Sequence, residues 1–120
     1  MQTHKDLLLY QKAMDLVTDV YLITKKLPKD EQYGLVSQIR RAAISIPSNI
    51  SEGAGRLSQR EFRNFLSIAS GSASELETQL NICNNLNFIN KEELDELLEK
   101  INEVKMLCYG LIRKINSKYA

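Results

Sequence analysis

The sequence predicts an all-α protein, an antiparallel up-down-up-down four-helix bundle that forms a single domain over residues 1–120. Three observations carry that expectation. Apolar residues recur in alternating steps of three and four along four stretches of the chain, which lines them up on one stripe of each helix. Short polar turns separate these stretches, and short connections between long helices make antiparallel neighbours. Two of the helix starts carry capping signatures, Ser58 with Glu61 and Asn90 with Glu93.

The first helix is expected from near Lys5 to Leu27, on the seam Leu9, Ala13, Leu16, Val20, Ile23 and Leu27. Pro28 ends it, because proline lacks the backbone N–H and disfavours helical dihedrals in the residue before it. Tyr10, Met14, Val17 and Tyr21 widen the apolar stripe as core filling. Lys29, Asp30 and Glu31 form the turn, with Asp30 the best available cap and two acids near the positive end of the next helix.

The second helix follows the seam Val36, Ile39, Ala43, Ile46, Ile50 and Gly53. Pro47 lies inside it and removes the bond to the Ala43 carbonyl, so the expectation is a kink, or a break with a short piece from Ser48 to Glu52. Ile44 falls on the far side from the seam, near Arg40, Arg41 and Ser48. It reads either as part of a subunit contact or as a single surface apolar residue.

Gly53-Ala54-Gly55 then turns the corner into the third helix, Ser58 to about Leu86. The Ser58–Glu61 box and a hydrophobic staple between Leu57 and Phe62 fix that start. Its seam is Phe62, Leu66, Ala69, Ala73, Leu76, Leu80 and Cys83. Gly71 in the helix interior is unfavourable by roughly 1 kcal/mol relative to Ala, which a close approach to Ala42 and Ala43 would offset. The fourth helix starts at the Asn90–Glu93 box, with Ile89 and Leu94 as its staple. It runs on Leu94, Leu97, Ile101, Val104, Cys108, Leu111 and Ile115 to near Lys118.

With 120 residues, 43% hydrophobic and 26% charged, the chain suits one core. A net charge of +1 argues by itself for neither a nucleic-acid nor a membrane partner, so only the distribution of charge can. The N-terminus has no secretory pattern and no window approaches the roughly 18 apolar residues of a membrane span, so the expected location is cytoplasmic, with no membrane. Apolar residues beyond the seams, Leu98, Ile112, Ile68, Ile82 and Ile44, make a homo-oligomer the expected state.

Most site chemistry is absent. The one histidine, His4, falls in a stretch expected to fray, which leaves no rigid base for a nucleophile. No Glu-x-x-His pairs face one another for a bundle metal site. Cys83 lies shortly before the hairpin turn and Cys108 well after it, about 20 Å apart in height, so they are read as buried, reduced thiols. The chain is therefore read as not an enzyme, with no cofactor and no metal. Gly53-Ala54-Gly55 follows a helix and lacks the Lys-Ser/Thr of a phosphate loop, which favours helix termination. Glu75 and Glu77 read as a solvated face or as partners for Arg40 or Arg41.

One arrangement stands out. The bundle order brings the start of helix one, the corner after helix two and the end of helix four to one pole. Lys5, Arg56, Arg60, Arg63, Arg113, Lys114 and Lys118 gather there against Asp6, Glu52 and Glu61, a local charge of about +4. Arg56, Arg60 and Arg63 have spacing that puts them along one helix face. The pole is either ordinary polar sequence at helix ends or a surface for phosphates. In the second case Arg56, Arg60, Arg63, Arg113, Lys114 and Lys118 are the nucleic-acid-binding candidates.

Ile39-Arg40-Arg41-Ala42-Ala43, Ile46 through Gly53, Phe62 through Leu66 and Ile68 through Leu80 resemble the bacterial four-helix-bundle family of intervening-sequence proteins. Members of that family are encoded in insertions within large-subunit ribosomal RNA genes, and others stand alone. The chain is also similar to the accessory variability determinants of diversity-generating retroelements. Those are basic helical bundles that form pentameric rings and partner a reverse transcriptase and nucleic acid. The resemblance implies the four-helix fold, a homo-oligomer with a pentamer as its form, and RNA or DNA as a partner, and it brings no catalytic residues. This chain differs from the retroelement proteins in its near-neutral charge. Two function classes follow: a nucleic-acid-associated oligomer, and a structural or protein-protein interaction module that binds no nucleic acid.

Overall fold

Four helices, α1 (His4–Thr24), α2 (Leu35–Ala54), α3 (Gln59–Asn85) and α4 (Lys91–Tyr119), make up the computed structural model, which describes residues 3–119. The all-α bundle expected from the periodicity is the fold observed. Cross-helix contacts set its topology. Lys12 pairs with Glu103, Asp19 with Lys100 and Lys26 with Glu93, so α1 and α4 run antiparallel. The Ser45 and Ser72 hydroxyls meet at 2.8 Å between α2 and α3. Arg63 reaches Asn116 and Glu77 reaches Lys105 between α3 and α4. Arg40 of α2 lies 4.3 Å over the Tyr21 ring of α1 and donates to Thr24 Oγ1 at 2.9 Å. Each helix packs on the next, α4 closes on α1, and the bundle measures 46 × 24 × 21 Å.

The four seams meet along the bundle axis and every expected seam residue is buried, except Ile23, which is half-buried. Burial is the dominant stabilising contribution, since each fully buried aliphatic side chain contributes roughly 1.5–3 kcal/mol relative to exposure. Leu98 and Ile112, expected on a second face, are half-buried against this core, whereas Ile44, Ile68 and Ile82 are exposed. The contacts of Glu77 and Arg40 also differ from expectation. Glu77 takes Lys105, and Arg40 turns back to α1, because the α1–α2 face offers it an aromatic ring and two oxygens.

Local chemistry explains the helix ends. α1 does not fray at His4, because Thr3 Oγ1 accepts from the Asp6 N–H at 3.1 Å and the Asp6 carboxylate accepts from the Thr3 N–H at 3.2 Å. Aspartate stands where a capping box usually has Glu or Gln, which hid this start in the sequence. At its other end α1 stops at Thr24 rather than Leu27, and the N–H groups of Lys26 and Leu27 tighten to three-residue bonds ahead of Pro28. Asp30 does not cap α2. Residues Lys29–Glu31 form a single 3-10 turn, Gly34 takes the cap position, and Glu31 accepts from the Leu35 N–H at 3.5 Å.

α2 is continuous through Pro47, so the expected break does not occur. Beside the proline, Asn49 Nδ2 donates to the Ser45 carbonyl at 2.8 Å and to the Ser45 hydroxyl at 2.9 Å, which supports the turn from the side chain. At the corner, Ser58 Oγ accepts from the Glu61 N–H at 3.1 Å, while the Glu61 carboxylate faces the Ser58 hydroxyl at 3.3 Å. The staple is missing, because Leu57 is fully exposed. Removing the remaining acceptor with Ser58→Ala is expected to cost about 0.5–2 kcal/mol, read as a fall in the denaturant midpoint.

The turn between α3 and α4 is closed more tightly than the corner. Asn87 takes φ 63°, its N–H bonds to Asn84 O, and the Phe88 N–H reaches Cys83 O at 2.8 Å, which together make a Schellman stop. Asn90 and Glu93 then form a complete box at 2.8 and 2.9 Å, with Ile89 and Leu94 both buried beside it. The Lys26 ammonium and the Asn90 N–H both bond the Glu93 carboxylate and hold it below its ordinary pKa.

Gly71 makes no close approach: a Cβ there would meet nothing within 4 Å. The close approach is at Gly53 instead, where a Cβ would lie 2.6 Å from Phe65 Cβ and 3.0 Å from Phe62 Cδ1. Among the described residues no helix is long and apolar enough to cross a membrane.

Candidate functional site

The start of α1, the corner before α3 and the end of α4 meet at one end of the bundle. A cavity of about 190 Å3 there is lined by Thr3 and Asp6 of α1, Gln59 and Phe62 of α3, and Lys114 and Lys118 of α4. The capping boxes at Thr3 and Ser58 hold two of these segments, and the buried Leu111 and Ile115 anchor the third.

The cations at this end divide into two groups. Arg56 and Arg63 are engaged within the fold. Arg56 donates to Glu52 at 2.7 Å, approaches Glu61 at 4.0 Å and lies 5.1 Å over the Phe65 ring. It also falls outside α3, which starts at Gln59, so the expected alignment of Arg56 with Arg60 and Arg63 on one helix face is not formed. Helical spacing does not extend across a cap. Arg63 is half-buried and donates to Asn116 Oδ1 at 3.1 Å, tying α3 to α4.

Lys5, Arg60, Arg113 and Lys114 form the second group: all are exposed, and among the described residues their side chains meet no hydrogen-bonding or ion-pair partner. Lys118 is exposed in the last described turn of α4. Helix electrostatics separates these positions further. Arg113, Lys114 and Lys118 lie near the C-terminus of α4, where a cation complements the negative end of the dipole. Lys5 and Arg60 are the second residues of α1 and α3, where a cation opposes the positive end by roughly 0.3–1 kcal/mol each. Helix stability therefore accounts for the first three charges and not for the last two.

Two grooves run back from this end. Between α1 and α4, a groove of about 580 Å3 has Lys5, Arg113 and Lys114 on its rim and Leu8, Met106 and Leu107 along its floor, and no carboxylate lines it. Between α1 and α2, a groove of about 780 Å3 is lined by Tyr10, Met14, Val17, Ile44 and Pro47, with Glu52 and Arg56 at its end. The sequence placed Lys5, Arg113 and Lys114 at the pole but did not reveal the groove they share. Its one signal was Gly110, a glycine inside an otherwise strongly periodic helix.

Catalytic chemistry finds little support in the remaining side chains. Burial pushes the Cys83 thiol up to about 11 and the Cys108 thiol up to about 12, far from the thiolate a nucleophile requires. Both cysteines are free and buried, and His4 is exposed at the start of α1. Among the described residues no group of three or more His, Cys, Asp or Glu side chains is placed to hold a metal ion.

Residues 5–110 match the 23S rRNA-intervening sequence protein family. In three dimensions the chain is similar to a protein of unknown function from the S23 ribosomal protein family of Bacteroides thetaiotaomicron. The TM-score is 0.83 at 25% identity over 91% of this chain and 98% of that one. No curated protein sequence matches significantly.

Proposed function

This chain belongs to the 23S rRNA-intervening sequence protein family, and from that premise we propose that it is a non-enzymatic, self-associating bundle that holds RNA or DNA backbone at its basic pole. The candidates there are Arg56, Arg60, Arg63, Arg113, Lys114 and Lys118, together with Lys5. The observation that carries the reading is the set of four exposed, unpartnered cations, Lys5, Arg60, Arg113 and Lys114, at the end shared by the four helices. Two of them sit where the helix dipole disfavours a cation, so an anion from outside would relieve the arrangement. Point charges and guanidinium groups without a base-reading element grip phosphates irrespective of sequence. Arg56 and Arg63 contribute less to this contact, because their guanidinium groups already have partners within the chain.

Self-association belongs to the same reading. Ile44 and Met14 are 43% and 44% exposed on the α1–α2 groove, an apolar surface of the kind that oligomer contacts cover. Repeating the pole around a ring of copies, five by the likeness to retroelement accessory proteins, would multiply a weak phosphate contact by avidity. Ile44→Glu puts a charge on that surface and is expected to lower the mass in solution by light scattering while helicity persists. A monomeric wild type at micromolar concentration overturns the self-association.

The nucleic-acid reading is tested by titrating structured RNA and duplex DNA onto the wild-type protein at low and moderate salt. The expected result is binding to both, weakening steeply as salt rises. No binding at low salt leaves the structural or protein-protein interaction module as the function.

A further inference from the structure

The α1–α4 groove differs from a flat basic surface in having a floor. Its rim carries Lys5, Arg113 and Lys114, and its floor carries Leu8, 37% exposed, Met106, 62% exposed, and Leu107. An exposed Leu and Met beside three cations, with no lining carboxylate, form a surface that is both apolar and positive. Gly110 keeps it open. The glycine lies in the interior of α4, where alanine is the better residue, and a Cβ built there would meet nothing within 4 Å. No backbone approach accounts for it, in contrast to Gly53, and what it leaves is unfilled space in the groove.

We infer that this groove takes a single-stranded nucleic-acid segment, its phosphates on Lys5, Arg113 and Lys114 and one unstacked base on the Leu8–Met106–Leu107 floor beside Gly110. The inference rests on the nucleic-acid reading of the pole and narrows it to one class of ligand. A duplex keeps its bases stacked inside and presents phosphates outward, so it touches the rim and leaves the floor bare. A flexible single strand can turn a base inward, and every base offers a flat face that is apolar enough for aliphatic contact. The Met106 thioether is suited to that face, since sulfur makes favourable contacts with aromatic rings. Charge complementarity selects a polyanion, and the floor selects one that carries flat rings.

The test compares an unstructured single-stranded RNA of mixed sequence with a fully paired RNA duplex, each titrated onto the wild type, Gly110→Leu and Met106→Ala. Gly110→Leu fills the groove and leaves every cation in place. Met106→Ala empties part of the floor from an exposed position, and circular dichroism checks that both variants fold. The expected result is tighter single-strand binding by the wild type and a loss of about tenfold in each variant, with duplex affinity unchanged. Single-strand affinity equal to wild type in both variants overturns the inference while the broader reading of the pole stands. Parallel loss of duplex binding, or equal competition by a polyglutamate peptide, overturns it as well. A wild type that binds neither RNA removes the broader reading and this inference together.

Discussion

Gly53→Ala is expected to lower stability by about 1–3 kcal/mol, although alanine is the better helix former. The added Cβ would lie 2.6 Å from Phe65 Cβ, and Phe65 Cβ is fixed to its backbone, so α2 and α3 must move apart at the corner. Gly71→Ala has the opposite expected sign, a gain of up to about 1 kcal/mol, because its Cβ would enter open space. Denaturant midpoints of the two variants test the pair, and a Gly53→Ala protein as stable as the wild type contradicts the packing account of the corner.

That contrast shows which parts of the fold were legible in the sequence. Periodicity identified the four seams, and their residues are the core, because a stripe repeating every three and four positions has one place to go in a bundle. It could not distinguish Gly53 from Gly71, since both lie within helical stretches and only the approach of a neighbouring helix separates them. Capping was legible where the standard pair was present, as at Asn90 and Glu93, and not where aspartate replaced glutamate, as at Thr3 and Asp6. Leu57 had the spacing of a staple, yet it points into solvent. Spacing permits such a contact without requiring it.

The second large effect is expected at the pole. Changing Lys5, Arg113 and Lys114 together to Gln should weaken RNA and DNA binding by roughly 10- to 100-fold at low salt. All three are exposed and hold no partner among the described residues, so the melting temperature is expected to change little. The triple change of Lys25, Lys26 and Lys29 to Gln at the opposite end is the control, and it should leave binding close to wild type.

The candidate site was legible in its charges and not in its shape. Counting cations near the helix ends located the pole, because chain order in a bundle fixes which ends meet. The same count included Arg56 and Arg63, whose long side chains turn back to Glu52 and Asn116, a choice among nearby partners that sequence spacing does not encode. The groove behind Lys5, Arg113 and Lys114 depends on the packing of α1 against α4, and its one trace in the sequence was Gly110.

The central claim is that cations at this pole neutralise phosphates, and the salt dependence of binding tests it most directly. Each neutralised phosphate releases condensed counterions and adds about 0.7–0.9 to the slope of log K against log salt. The account predicts a steep slope for the wild type, a slope shallower by about 2–3 in the Lys5, Arg113 and Lys114 triple variant, and no change in the opposite-pole variant. Equal slopes for all three proteins would contradict it.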